Sequence, residues 1–284
     1  MTYLTPHLGF ADTSSGSSTA AALPPAGTHL LITDTLESPG HFASYHLIIW
    51  VDFRGEGRTS WETVLKKLGT LLPPPPSPLF VHITPSALDL QVKASPVNPS
   101  PKLFDGSTPT LRATYDAISS GLSAASGPAA DSAKTTSTGS SSAQSPLVIL
   151  DGLAELLWIG FTPIAIAQFV RATLALARKT NSSLVSTLHA DHLPLTAASP
   201  SSSSASPSAD LLDRLIRLGG GGWWRVSNLS SGRSGDVHGE ISSHPLYPPG
   251  TGSYPDVPAH QPLQYRLEAS TVRVFPKGTG RGFL

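Results

Sequence analysis

The chain has 284 residues, 19 basic and 19 acidic side chains, and a formal net charge of zero. That balance argues against a stand-alone nucleic-acid binder, which carries a basic patch or a high isoelectric point, and it favours association with other chains. Cysteine is absent, which excludes disulfides, a thiolate nucleophile and a cysteine-based zinc site.

Residues 1–27 are rich in Ser, Ala and Pro and read as a disordered N-terminus. No basic segment followed by an apolar run suggests a signal peptide. Thr28 to Asp34 reads as a buried strand, and Ser38-Pro39-Gly40-His41-Phe42 as the start of a helix, with Ser38 as N-cap and Pro39 at the first helical position. A phosphate-binding loop would carry G-x-x-x-x-G-K-[ST] between such elements. Here the link is Thr35-Leu36-Glu37, without a glycine run or lysine, and Glu37 puts a carboxylate where phosphates would lie. His46 to Phe53 looks like the next strand, which leaves the first helix little room and reads as a local deletion or a mis-spliced gene model around 40–52.

Thr59-Ser60-Trp61-Glu62 makes a capping box, and Trp61, Val64, Leu65 and Leu68 form one apolar helical face that stops at Gly69. Pro73 to Pro76 form a stiff spacer before a third strand at Leu79–Ile83. Pro109 to Leu122 is expected to be helical, and 123–145 to be a low-complexity linker. Leu147 to Asp151 suits a central parallel strand covered on both faces. The apolar stretch Leu147 to Val170 is broken by Asp151, Glu155, Pro163 and Gln168, so no membrane span is expected.

A long helix is predicted at 163–179, with apolar positions on more than one face, as in a deeply buried or interface helix. Leu184 to Leu188 is another strand, and a Ser/Pro linker covers about 196–208. Asp210 to Leu218 is a short amphipathic helix with an Asp213–Arg217 pair. Trp223 to Leu229, Gly239 to Ser243, Leu263 to Glu268 and Thr271 to Phe275 then alternate with a period of two, an antiparallel extension of the sheet. The expected fold is α/β with a mainly parallel central sheet flanked by helices. It makes one domain over 28–284 with low-complexity insertions at about 123–145 and 196–208.

Few motifs carry chemistry. Asp151 stands where a Walker-B acid would hold Mg²⁺, but lacks its phosphate-loop partner. His189-Ala190-Asp191-His192 has metal-ligand residue types, yet a full site needs three or more ligands and none is predicted. Ser231-Gly232-Arg233-Ser234-Gly235 is not a nucleophile elbow, and Gly278 to Gly282 has no helix to follow it as a dinucleotide fingerprint requires. Trp223, Trp224, Arg225 and Arg233 have the residue types that stack on and pair with RNA, although core packing is the plainer use of such tryptophans. No catalytic residue, metal ligand or cofactor is assigned.

The C-terminal half carries a resemblance. Arg233-Ser234-Gly235-Asp236-Val237-His238-Gly239-Glu240, then Gln264-Tyr265-Arg266-Leu267, then Val272 to Gly278 resemble the sixth subunit of the Elongator complex. Leu147 to Leu153, Leu157 to Gly160, Val51 to Gly57 and Trp61 to Gly69 are similar to the same family. The resemblance implies a RecA-like domain without the phosphate-binding motif. It implies a hexameric ring with the fourth and fifth subunits, two copies of each, beside the remaining Elongator subunits. That ring binds tRNA and supports modification of the wobble uridine in the cytoplasm, with the nucleus as a second compartment. The chemistry would belong to another subunit. Arg225, Arg233, Lys277 and Arg281, basic residues in loops or strand ends, are the candidates for tRNA or interface contacts. The alternative is a divergent RecA-like ATPase using Asp151 and a nonstandard nucleotide site.

Overall fold

The computed structural model describes residues 4, 8–10, 23–48, 110–125, 145–190, 206–229, 237–246, 260–268 and 272–277. The helix expected at Trp61–Leu68, the proline spacer and the strand at 79–83 lie outside them. The described strands are β1 (His29–Asp34), β2 (Leu147–Leu150), β3 (Ser183–His189), β4 (Gly221–Ser227), β5 (Gly239–Leu246), β6 (His260–Leu267) and β7 (Val272–Pro276). They form one sheet in the order β2-β3-β1-β4-β5-β6-β7. The described helices are α1 (His41–Ile48), α2 (Arg112–Ala125), α3 (Leu153–Ile159), α4 (Pro163–Lys179) and α5 (Pro207–Leu218).

The fold is α/β, as expected, with a parallel part and a C-terminal antiparallel extension among the described strands. Pairs β2–β3, β3–β1 and β1–β4 are parallel, and β4–β5, β5–β6 and β6–β7 are antiparallel. β4 was expected in the antiparallel extension and instead joins the two halves, running parallel to β1. Its period of two could not tell which neighbour it would pair with. The close β1–β4 approach depends on Gly221: a Cβ there would lie 1.8 Å from the His29 carbonyl oxygen. Among the described strands β2 does not take its expected central place. It ends the described sheet with β3 as its one partner and is half-buried along most of its length.

Two hydrophobic layers cover the sheet. On one face Leu31, Leu184 and Leu188 meet Ile166, Phe169, Val170 and Leu174 of α4 and Leu211, Leu212 and Leu215 of α5. On the other, Leu30, Ile32, Val185, Trp224 and Val226 meet Phe42, Ala43 and Leu47 of α1. Leu4, Leu8 and Phe10 are buried there too, within the stretch expected to be disordered; the Phe10 ring stacks on Trp224 at 5.5 Å. The adjacent tryptophans of β4 take opposite faces, as alternation requires: Trp224 is in this second layer and Trp223 packs against the first.

Helix α1 corrects the strand reading over 46–48, since helical structure runs to Ile48, and 49–53 lie outside the described residues. Phe42, Ala43, Ser44, His46 and Leu47 are all buried. A helix enclosed on most sides shows no period, so a short apolar run cannot be told from a strand. The start is corrected as well: α1 begins at His41, and Ser38 forms a tight turn with Thr35. Helix α4 runs over the expected 163–179, with Pro163 at its first turn and the Thr162 hydroxyl accepting from the Ala165 N–H at 3.2 Å. Two expected linkers are trimmed. Helix α2 continues to Ala125, and α5 starts at Pro207 under a Ser206 cap. The expected Asp213–Arg217 ion pair is present at 2.8 Å.

Candidate functional site

Neighbouring strands β1 and β3 end together, with Asp34 in register with His189. The helix after β1 packs on one face of the sheet and the helix after β3 on the other. Open α/β sheets bind ligands at such a switch point, outside the carboxyl ends of the strands. A cavity of about 100 Å³ lies there, lined by Ile32, Asp34, Gly40, His41, Ser44, Asp151, Gly152, Glu155, Thr187 and His189.

Asp34 organises it. One carboxylate oxygen accepts the Gly40 N–H at 2.6 Å, immediately before α1, and the other lies 2.5 Å from His189 Nδ1. Exposed N–H groups at a helix start favour an anion, and here the chain supplies its own. The sequence reading gave that role to Glu37. Glu37 instead accepts from the Asn228 side chain at 2.6 Å, and Asp34 sits at the helix start. Burial pushes the Asp34 carboxyl above its ordinary value, against the lowering effects of the Gly40 N–H and of His189. His41 closes the site edge-on to His189, with ring centres 6.2 Å apart.

On the other wall, Thr187 joins β2 to β3. Its hydroxyl donates to Asp151 at 2.6 Å and accepts the Gly152 N–H at 2.7 Å. Asp151 therefore ties two strands together, which accounts for an acid at this strand end without a metal. Gly152, at φ +72°, lies beneath the Glu155 carboxyl, which a Cβ at that position would approach to 3.0 Å. Ser44 contributes from α1. It is buried, and its hydroxyl has no hydrogen-bond partner among the described residues.

The Asp34–His189 pair is the geometry that orients an imidazole as a base. A general base must lie within hydrogen-bond reach of the group that it deprotonates. No serine or threonine hydroxyl hydrogen-bonds His189 among the described residues. No group of three or more His, Asp or Glu converges as a metal site among them either. Of the His189-Ala190-Asp191-His192 motif, His189 belongs to the Asp34 pair, and Asp191 and His192 lie outside the described residues.

The four basic candidates do not gather at this cavity. Arg225 lies on β4 between Thr33 and Ser242, half-buried, and burial lowers its guanidinium below the ordinary value. Lys277 follows β7 and pairs with Glu240 at 2.9 Å. Glu240 and Ser242, two apart on β5, share a face, so Arg225 and Lys277 belong to one side of the antiparallel half. Arg233 and Arg281 lie outside the described residues. Trp223 donates its indole N–H to Thr33 at 2.8 Å and packs beside His244, so it is engaged within the sheet.

Sequence reasoning missed Asp34, His41 and Ser44. The available signal was an acid and a histidine ending two predicted parallel strands. What was not readable was that those strands would be neighbours.

No family model matches the chain, and no curated protein matches it. No helix among the described residues is long and apolar enough to cross a membrane.

Proposed function

We propose that the chain is a non-catalytic, RecA-like subunit of the Elongator complex. In this proposal it forms a hexameric ring with the fourth and fifth subunits, and the assembled ring binds tRNA and supports wobble uridine modification in the cytoplasm and nucleus. The observation that carries the proposal is the Asp34 carboxylate on the Gly40 N–H, 2.6 Å away. At this helix start after β1, where a phosphate would be held, a fixed anion repels a triphosphate. The resemblance of the segments now seen as β2–α3, β5, β6 and β7 supplies the family. Trp158, Ile159 and Ile164 support an assembling subunit: they are 72%, 57% and 49% exposed along one short stretch from α3 into α4.

The alternative, a divergent ATPase, draws on Asp151 at the cavity wall. A volume of about 100 Å³ weighs against it, since ligand pockets usually hold roughly 300–1,000 Å³. Isothermal titration of the chain with Mg-ATP separates the two. The ring-subunit proposal expects no heat; micromolar binding lost in Asp151→Ala would establish the ATPase instead.

A further inference from the structure

Two surface patches of opposite character stand at separate places on the sheet. The first is the corner between α3 and α4. Trp158, Ile159 and Ile164 are three of the four exposed large hydrophobic side chains among the described residues. Exposed apolar side chains that gather in one place, rather than scatter singly, mark a docking surface. Glu155 lies one helical turn before Trp158 and Ile159, so it shares their face of α3. Asp151 is exposed nearby, lining the same cavity wall as Glu155, and no lysine or arginine lines that cavity. Asp151 accepts from Thr187, and neither carboxylate is in an ion pair among the described residues. The corner is therefore apolar with an acidic rim.

The second patch is one face of the antiparallel half. On β6 and β7 alternation turns Tyr265 and Val272 into the core and leaves Arg266, Arg273 and Phe275 on the other face. The hydrophobic layer under α4 and α5 includes no residue of β5, β6 or β7, so that face stays outside it. Arg225 and Lys277 lie on the same face. Four cations thus stand there against two carboxylates, Glu240 and Glu268, in a chain of zero net charge. Helix α3 packs on β3, and β3 and β7 are five strand spacings apart, about 24 Å. The corner of one molecule is therefore too far away to cover its own β7. Since the chain carries both halves of the complementarity, we propose that the α3–α4 corner docks on the β6–β7 face of a second copy. Glu155 meets Arg273 there, and Trp158 and Ile159 lie against Phe275 and the arginines, whose guanidinium planes stack on aromatic rings. A contact between unlike patches leaves each copy with one patch free, so association does not stop at two copies. The proposal does not depend on the Elongator assignment.

The test is light scattering of the purified full chain, without other subunits, at concentrations up to about 200 µM in low salt. The expected result is a mass that rises with concentration past that of a dimer, and that falls as salt is raised to about 0.5 M. Two variants separate unlike from like docking. Glu155→Gln with Trp158→Ser removes the corner, and Arg273→Glu removes the face. Each should weaken self-association about tenfold or more and leave the melting temperature near that of wild type, since all three side chains are exposed. If either fails to fold, Ile164→Ser or Arg266→Ser takes its place with the same expectation. Mixed in equal amounts, the corner variant and the face variant should recover wild-type affinity as a dimer that grows no further, because one intact corner and one intact face remain. A wild-type monomer at every concentration, a variant that self-associates as wild type does, or an equal mixture as monomeric as its parts overturns the proposal.

Discussion

His29 lies at the start of β1, fully buried, with Nε2 2.7 Å from the Ser186 hydroxyl. Burial, with the Arg178 charge second, lowers its imidazole from 6.5 to about 4. His46 on α1 is lowered to about 4 chiefly by burial. The fold therefore holds both rings neutral, and their full contribution is present above pH 6.5. It is lost as pH falls from 6.5 towards 4, because the unfolded chain binds protons there and the folded chain does not. At about 1.4 kcal/mol per unit, each ring loses about 3 kcal/mol over that window, of which about 2 kcal/mol is gone by pH 5. Asp34 acts in the opposite sense. Its raised value makes the protonated form the one the fold prefers, so its ionisation costs stability as pH rises through that value. The assay is urea unfolding at about pH 7.5 and about pH 5, reading the midpoint at constant slope. Wild type should lose several kcal/mol, and His29→Gln, which cannot titrate, should lose about 2 kcal/mol less. An unchanged midpoint in wild type, or the same loss in His29→Gln, would refute the burial account of His29.

Gly221→Ala should cost more than about 4 kcal/mol or prevent folding, because its Cβ would meet the His29 carbonyl oxygen at 1.8 Å; urea unfolding within about 1 kcal/mol of wild type contradicts the β1–β4 register. Thr162→Ala removes the acceptor of the Ala165 N–H and should lower stability by about 1 kcal/mol by the same assay. On the proposal that a ring containing this chain binds tRNA through Arg225, Arg225→Ala should reduce the salt slope of tRNA affinity by about one. An unchanged slope removes Arg225 from the tRNA contacts.

What could be read in advance followed the strength of the local signal. Helix α4 was legible end to end because its apolar positions recur over many turns. The Asp213–Arg217 pair was legible because helical spacing alone sets it. Helix α1 was legible near its start but not in its extent: with Phe42, Ala43, Ser44, His46 and Leu47 all buried, no polar face revealed a period. Strand existence was legible, but pairing was not. Nothing local to Trp223-Trp224 says that β4 lies parallel to β1, and nothing local to Leu147–Leu150 says that β2 ends the described sheet. The cavity suffered most from this, since Asp34 and His189 stand 155 positions apart and meet only through the β1–β3 pairing.

The central claim is that this scaffold works by assembly. The most direct measurement is the mass, by light scattering, of the chain co-expressed with the fourth and fifth Elongator subunits of the same genome. One species at twice the summed mass of the three chains is the predicted result. Three separate species, with this chain indifferent to the other two, would contradict it.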